Sequence, residues 1–123
     1  MDVLKKVLEL EKEADEFGFQ WNTHDQLFEQ IESECKEVKA ELDQSANRQK
    51  LQEEIGDLIH ATLSLCVFCG FDPKETLELS TRKLEKRLNE VMTKAKEKGF
   101  QDLKGQPFDV LMEFWNEAKK SVG

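Results

Sequence analysis

The stretch from Leu58 to Phe71 constrains the fold of this chain more than any other. It runs through Leu58, Ile59, Ala61, Leu63, Leu65, Cys66, Val67 and Phe68, with no Pro anywhere and no Gly before Gly70. A helix that is apolar on every side must be buried on every side. The chain has 123 residues, of which 36% are charged and 38% hydrophobic, so one subunit is too small to cover such a helix alone. Two Pro and six Gly favour long helices over strands. The expectation is an all-α, antiparallel helix bundle, a single domain over residues 1–123, completed by oligomerisation with a homodimer as the minimum.

Local signals divide the chain into five helices. The first, Asp2 to Phe17, carries Val3, Leu4, Val7, Leu8, Leu10 and Ala14 at helical spacing and stops at Gly18. An aromatic loop, Gly18-Phe19-Gln20-Trp21-Asn22, follows. Thr23 or Asn22 caps a second helix that reaches Leu42 through Leu27, Ile31, Cys35 and Val38. The short connection Asp43-Gln44-Ser45-Ala46-Asn47 makes the third helix return antiparallel, to end near Cys69 at Gly70. Asp72-Pro73 reads as an N-cap with Pro at the first helical position of a fourth helix, which extends to about Lys98. After a loop from Gly99 to Gln106, Pro107 starts a last short helix with Leu111, Phe114 and Trp115.

Charge and cysteine usage exclude several classes. The net charge of −8 disfavours duplex nucleic acid and membrane surfaces as partners, because both are polyanionic. No apolar run approaches the roughly 20 residues that span a bilayer. The charged Met1 to Glu16 segment lacks the apolar core of a signal peptide, so a soluble, cytoplasmic protein is expected. Cys35, Cys66 and Cys69 are odd in number and lie within helical patterns, which argues against a disulfide framework. Cys66-x-x-Cys69 has no second pair to complete a zinc site and reads as core packing.

Two acidic pairs carry the chemistry. Glu34-x-x-Glu37 and Glu54-x-x-Asp57 lie on consecutive helices. A three-residue step puts both carboxylates of a pair on one face, about 5 to 6 Å apart, so two packed helices converge four oxygen donors. Such a donor set suits Mg²⁺, which keeps several waters and binds substrate phosphates as well as protein. A lone Glu-x-x-Glu is usually a solvated face, but both pairs border apolar stripes, where clustered carboxylates need a cation or protons. Lys83 and Arg87, four apart, either grip phosphates or pair with neighbouring glutamates. Phe17, Phe19 and Trp21 either join the core or stack on a nucleobase. His60 follows Asp57 by three residues, as in di-iron bundles, yet no second carboxylate-x-x-His element exists. A non-catalytic helical interaction module is the alternative from a different class.

These segments resemble a known family. Glu53-Glu54-Ile55-Gly56-Asp57-Leu58-Ile59, Gly70-Phe71-Asp72-Pro73 and Thr81-Arg82-Lys83-Leu84-Glu85-Lys86-Arg87 are similar to the MazG nucleotide pyrophosphohydrolases of the all-α NTP pyrophosphatase superfamily. Gly18-Phe19-Gln20-Trp21 and Phe114-Trp115-Asn116-Glu117-Ala118-Lys119 resemble segments of the MazG C-terminal catalytic domain. The resemblance implies Mg²⁺ binding and catalysis by Glu34, Glu37, Glu54 and Asp57, and phosphate contacts from Lys83 and Arg87. It implies nucleotide contacts from Trp115 and Lys119 and a homodimer or homotetramer, and the base is expected in a pocket lined by aromatics of the Phe17 to Trp21 loop, Phe19 and Trp21 among them, together with Trp115. The expected activity is hydrolysis of a nucleoside triphosphate to the monophosphate and pyrophosphate, in nucleotide-pool housecleaning. The sequence departs from the family motif at Ser33, in place of its first Glu, and at Gln30, where a Lys is common. Both changes remove charge beside the expected metal site.

Overall fold

The structure is a computed structural model that describes residues 1–44 and 47–123. The described residues form five helices: α1 (Val3–Phe17), α2 (His24–Gln44), α3 (Arg48–Phe68), α4 (Pro73–Glu97) and α5 (Phe108–Val122). No strand occurs among the described residues, in agreement with the all-α expectation. Ser45 and Ala46, within the expected connection between the second and third helices, lie outside the described residues. No single helix is long and apolar enough to cross a membrane.

The helix starts follow from side chains that satisfy free backbone N–H groups. Asp2 accepts from the Lys5 amide at 3.2 Å and opens α1. At α2 the cap is Thr23, whose Oγ1 accepts from the Gln26 amide at 3.3 Å, while Gln26 Oε1 accepts in return from Asn22 and Thr23. This reciprocal capping box resolves the choice between Asn22 and Thr23. Asn47, expected inside the connection, instead caps α3 by accepting from the Lys50 amide at 3.1 Å. Asp72 accepts from the Glu75 amide at 2.9 Å, with Pro73 as the first residue of α4, as the Asp-Pro pair predicts.

The stops are equally local. At the end of α3 the Gly70 amide donates to Val67 O at 2.9 Å and the Phe71 amide donates to Cys66 O at 3.1 Å. This pairing is a Schellman motif, which needs a left-handed residue at its turn, and Gly70 has φ 86°. Gly18 ends α1 by the same pattern at φ 93°. Two boundaries differ from the sequence reading. The second helix continues past Leu42 to Gln44, and the last helix is 15 residues long, as long as α1, with Pro107 outside it as the N-cap.

The chain forms two compact units, Met1–Thr76 and Leu77–Gly123. In the first, α2 packs along α3 and α1 packs on α3. Its buried apolar residues are Val7 of α1, Leu27 of α2, and Leu51 and Ala61 of α3. In the second, Ala95 of α4 and Phe114 and Ala118 of α5 are buried, and Phe100 meets Phe114 edge to face at 5.8 Å. The all-round burial expected for the third helix is not provided by one chain. Ile59 remains 53% exposed and Phe68 40%, because α1 and α2 cover only part of the α3 surface.

A Cβ added at Gly70 would meet no atom within 4 Å, so substitution there carries only the strain of a left-handed backbone. We expect Gly70→Ala to lower the unfolding free energy by about 1 to 2 kcal/mol, read as a lower urea midpoint with an unchanged slope.

Candidate functional site

The antiparallel register of α2 on α3 is set by pairs read in opposite chain directions. Lys50 Nζ lies 3.7 Å from Glu41 Oε2 near the adjoining helix ends, while further along Glu34 meets Glu54 and Asp57. One carboxylate oxygen from each of Glu34, Glu54 and Asp57 lies within 4.8 Å of the other two. Glu34 and Glu54 are half-buried and Asp57 is exposed. One turn before Glu34, Gln30 Nε2 donates to Glu34 Oε1 at 2.7 Å and holds that carboxylate in place. Glu37 lies outside the converged trio, although its charge still reaches Glu54.

Burial and like charge act together on Glu54. Its pKa is raised above the ordinary glutamate value, first by desolvation and then by the negative charges of Glu37, Asp57 and Glu34; Lys50 pulls the other way. The donors are all carboxylate oxygens, with neither thiol nor imidazole in the trio, which fits a hard divalent cation and not a soft one. His60, which a di-iron site would need, is not part of the trio.

Two members of the acidic trio line a pocket that adjoins a larger groove. A small pocket of about 330 Å³ contains Glu34 and Asp57 with Trp21, Gln30, His60 and Ser64. A larger groove of about 1110 Å³, between α1, α2, α3 and the aromatic loop, shares Trp21, Gln30, His60 and Ser64 with it. Trp21 therefore stands where the two join, and Phe19 lines the larger groove. Phe17 points elsewhere, 91% exposed and absent from the lining.

Lys83, Arg87, Trp115 and Lys119 belong to the second unit. Arg87 lies with its guanidinium carbon 5.7 Å from the Trp115 ring centre, and its Nη2 donates to Gly123 O at 2.9 Å. Arg87 Nε is buried without a hydrogen-bond partner among the described residues. Lys83 and Lys119 are exposed.

Sequence reasoning left out Glu11 and Ser64. Both line the larger groove, and Ser64 Oγ donates to Glu11 Oε1, joining α3 to α1. A signal for Ser64 was present, because Asp57, His60 and Ser64 fall on one stripe of α3 at steps of three, four and seven residues. Glu11 carried none, since one glutamate among many on an amphipathic helix is indistinguishable before the helices are packed.

The raised pKa has a stability consequence. Below the ordinary carboxylate pKa, Glu54 is protonated in both folded and unfolded chains and imposes no penalty; as pH rises through the raised folded value, ionisation in the cluster destabilises the metal-free fold. Glu54→Gln should therefore raise the metal-free urea midpoint at neutral pH, with the gain vanishing in acid. The same variant, which removes one of the three converging carboxylates, should weaken any divalent-cation binding at the trio, measured by calorimetry.

Comparison with known proteins agrees with this arrangement. Residues 22–92 match the model of the MazG nucleotide pyrophosphohydrolase domain. The chain is 33% identical over 110 residues to the nucleoside triphosphate pyrophosphohydrolase/pyrophosphatase MazG of Thermotoga maritima, a match covering 89% of this chain and 41% of that protein. It is 27% identical over 121 residues to the nucleoside triphosphate pyrophosphohydrolase of Escherichia coli K12, covering 98% of this chain and 46% of that one. An uncharacterized protein of Bacillus subtilis, YabN, is 28% identical over 78 residues, 63% of this chain and 16% of its own length. The chain thus spans less than half the length of these relatives. With the family model covering more than half of its residues, across the helices that carry the acidic pairs, the chain belongs to the MazG nucleotide pyrophosphohydrolase domain family.

Proposed function

We propose that this protein is a Mg²⁺-dependent nucleoside triphosphate pyrophosphohydrolase that uses water to cleave (d)NTP between the α and β phosphates, yielding (d)NMP and pyrophosphate. One observation carries this reading: three carboxylates converge, and two of them, Glu34 and Asp57, line a pocket that shares Trp21 with an aromatic-lined groove, which pairs a hard-cation donor set with a base platform. The names of the Thermotoga and Escherichia relatives point the same way.

Glu34, Glu54 and Asp57 would hold the cation, with Glu37 as the fourth ligand that the family pattern implies. When bound, Mg²⁺ neutralises phosphate charge and lowers the pKa of attacking water. The protein's own part is placement. Gln30 fixes the Glu34 carboxylate, and Trp21 and Phe19 offer ring faces on which a base stacks. Lys83 and Arg87 are proposed to steady the leaving pyrophosphate, and Trp115 and Lys119 to contact the nucleotide. Support for Arg87 is its guanidinium, held against the Trp115 ring and suited to paired hydrogen bonds with phosphate oxygens. The exposed Ile59 of α3, which lines neither pocket, supports a homodimer or homotetramer in which a second copy covers it.

Incubation with Mg²⁺ and each common NTP and dNTP should release monophosphate and pyrophosphate, resolved by chromatography. The Glu54→Ala, Asp57→Ala double variant should lose the activity while keeping its helical circular dichroism. Orthophosphate as the product, or turnover that survives in the double variant, would refute the assignment. A folded protein that turns over no nucleotide would instead favour a non-catalytic interaction module.

A further inference from the structure

Glu11 is a carboxylate without an assigned task in the groove that the proposed nucleotide site uses. It is half-buried, it lines the larger groove together with Phe19 and Trp21, and among the described residues it forms no ion pair. Ser64 Oγ donates to its Oε1. That bond orients the carboxylate and leaves Oε2, and a second lone pair on Oε1, available to a ligand. A half-buried carboxylate that lacks a cation is costly unless it accepts hydrogen bonds, so the groove favours an occupant that donates them.

The spacing along α3 indicates which part of a nucleotide reaches Glu11. Ser64 follows Asp57 by two helical turns, about 10 Å along the axis. This is close to one nucleoside's length from the α phosphate to the far edge of the base. Trp21 and Ser64 both line the junction of the acidic pocket and the larger groove, and Glu11 lies on the larger-groove side of it. A nucleotide with its phosphates at Glu34, Glu54 and Asp57 and its base against Trp21 therefore directs its Watson–Crick edge toward Glu11.

Because a carboxylate only accepts, it sorts bases by the donors on that edge. Guanine presents two adjacent donors, N1–H and the N2 amino group, which match the two oxygens of a carboxylate in a bidentate, charge-assisted pair. Adenine and cytosine each place a ring-nitrogen acceptor beside their amino group, so one carboxylate oxygen meets a lone pair. Uracil and thymine offer a single N–H flanked by two carbonyls that repel the carboxylate. Failure to satisfy a buried polar group is what gives such sites their discrimination.

We infer that Glu11, positioned by Ser64, is a specificity-determining residue that selects a guanine base, or another base presenting two adjacent N–H donors, in the groove beside the acidic trio. The inference rests on the nucleotide reading of that groove. It is independent of whether the bound nucleotide is hydrolysed.

The test separates the two. Binding of GMP, IMP, AMP, CMP and UMP to the full chain is measured by calorimetry for wild type, Glu11→Gln and Ser64→Ala, alongside kcat/KM for the matching triphosphates. Wild type should bind GMP most tightly. IMP, which keeps N1–H but lacks the amino group, should fall between GMP and AMP; this comparison holds the protein constant. Glu11→Gln should reduce the guanine preference by about 10- to 100-fold, the range of one bidentate base contact, with the other bases little changed. Ser64→Ala should weaken guanine binding by a smaller factor in the same direction. Equal affinity of wild type for all five monophosphates would overturn the inference. So would a guanine preference that survives in Glu11→Gln, or an equal loss across all bases. Guanine-selective, Glu11-dependent binding without turnover would uphold the base assignment and remove the hydrolase reading instead.

Discussion

Antiparallel packing of α2 on α3 presses the Glu34 carboxylate against those of Glu54 and Asp57, and the chemistry of the first unit depends on that enforced proximity. Like charges at this spacing repel, and half-burial removes much of the water that would screen them. The helices stay together because burial of Leu27, Leu51 and Ala61, with Val7 from α1, outweighs the repulsion. The neighbouring protein groups do little to relieve it. Gln30 contributes a neutral donor, and Lys50 is engaged with Glu41. The fold thus carries an electrostatic penalty at the cluster, of the kind that a divalent cation relieves.

The third helix has two roles that explain its unusual composition. Its apolar positions support packing by α1 and α2, and beyond them they leave Ile59 exposed and Phe68 lining the larger groove. Along one stripe it carries Asp57, His60 and Ser64, the polar residues that connect the acidic pocket to the larger groove. A rigid helix sets the distance between those groups. The separation of Asp57 from Ser64 is therefore fixed by the helix, and Phe19, Gln20 and Trp21 of the aromatic loop line the larger groove.

Local structure was legible in the sequence wherever a boundary depends on residues a few positions apart. Gly18 and Gly70 stop their helices because they adopt positive φ, and Asp72 caps its helix next to Pro73, as their residue types require. Thr23 needed the structure to separate it from Asn22, because the deciding partner is the reciprocal contact from Gln26. The length of the last helix was underestimated. Its register depends on Phe114 and Ala118 being buried, a property of the packed unit and not of the local pattern.

The sequence by itself determined an all-helical chain, the order and approximate limits of its helices, the acidic pairs and the family they belong to. Each of these follows from backbone preference, periodicity or motif spacing within one or two turns. The tertiary structure alone decided which carboxylates converge. Glu34, Glu54 and Asp57 bring carboxylate oxygens within 4.8 Å of one another and Glu37 adds the strongest neighbouring negative charge on Glu54, an arrangement set by side-chain direction and interhelical register, beyond the reach of a three-residue rule. Only the packed helices bring Glu11 of α1 to Ser64 of α3, joining residues far apart in the chain. A contact of that kind depends on the docking of whole helices, and no local pattern encodes it.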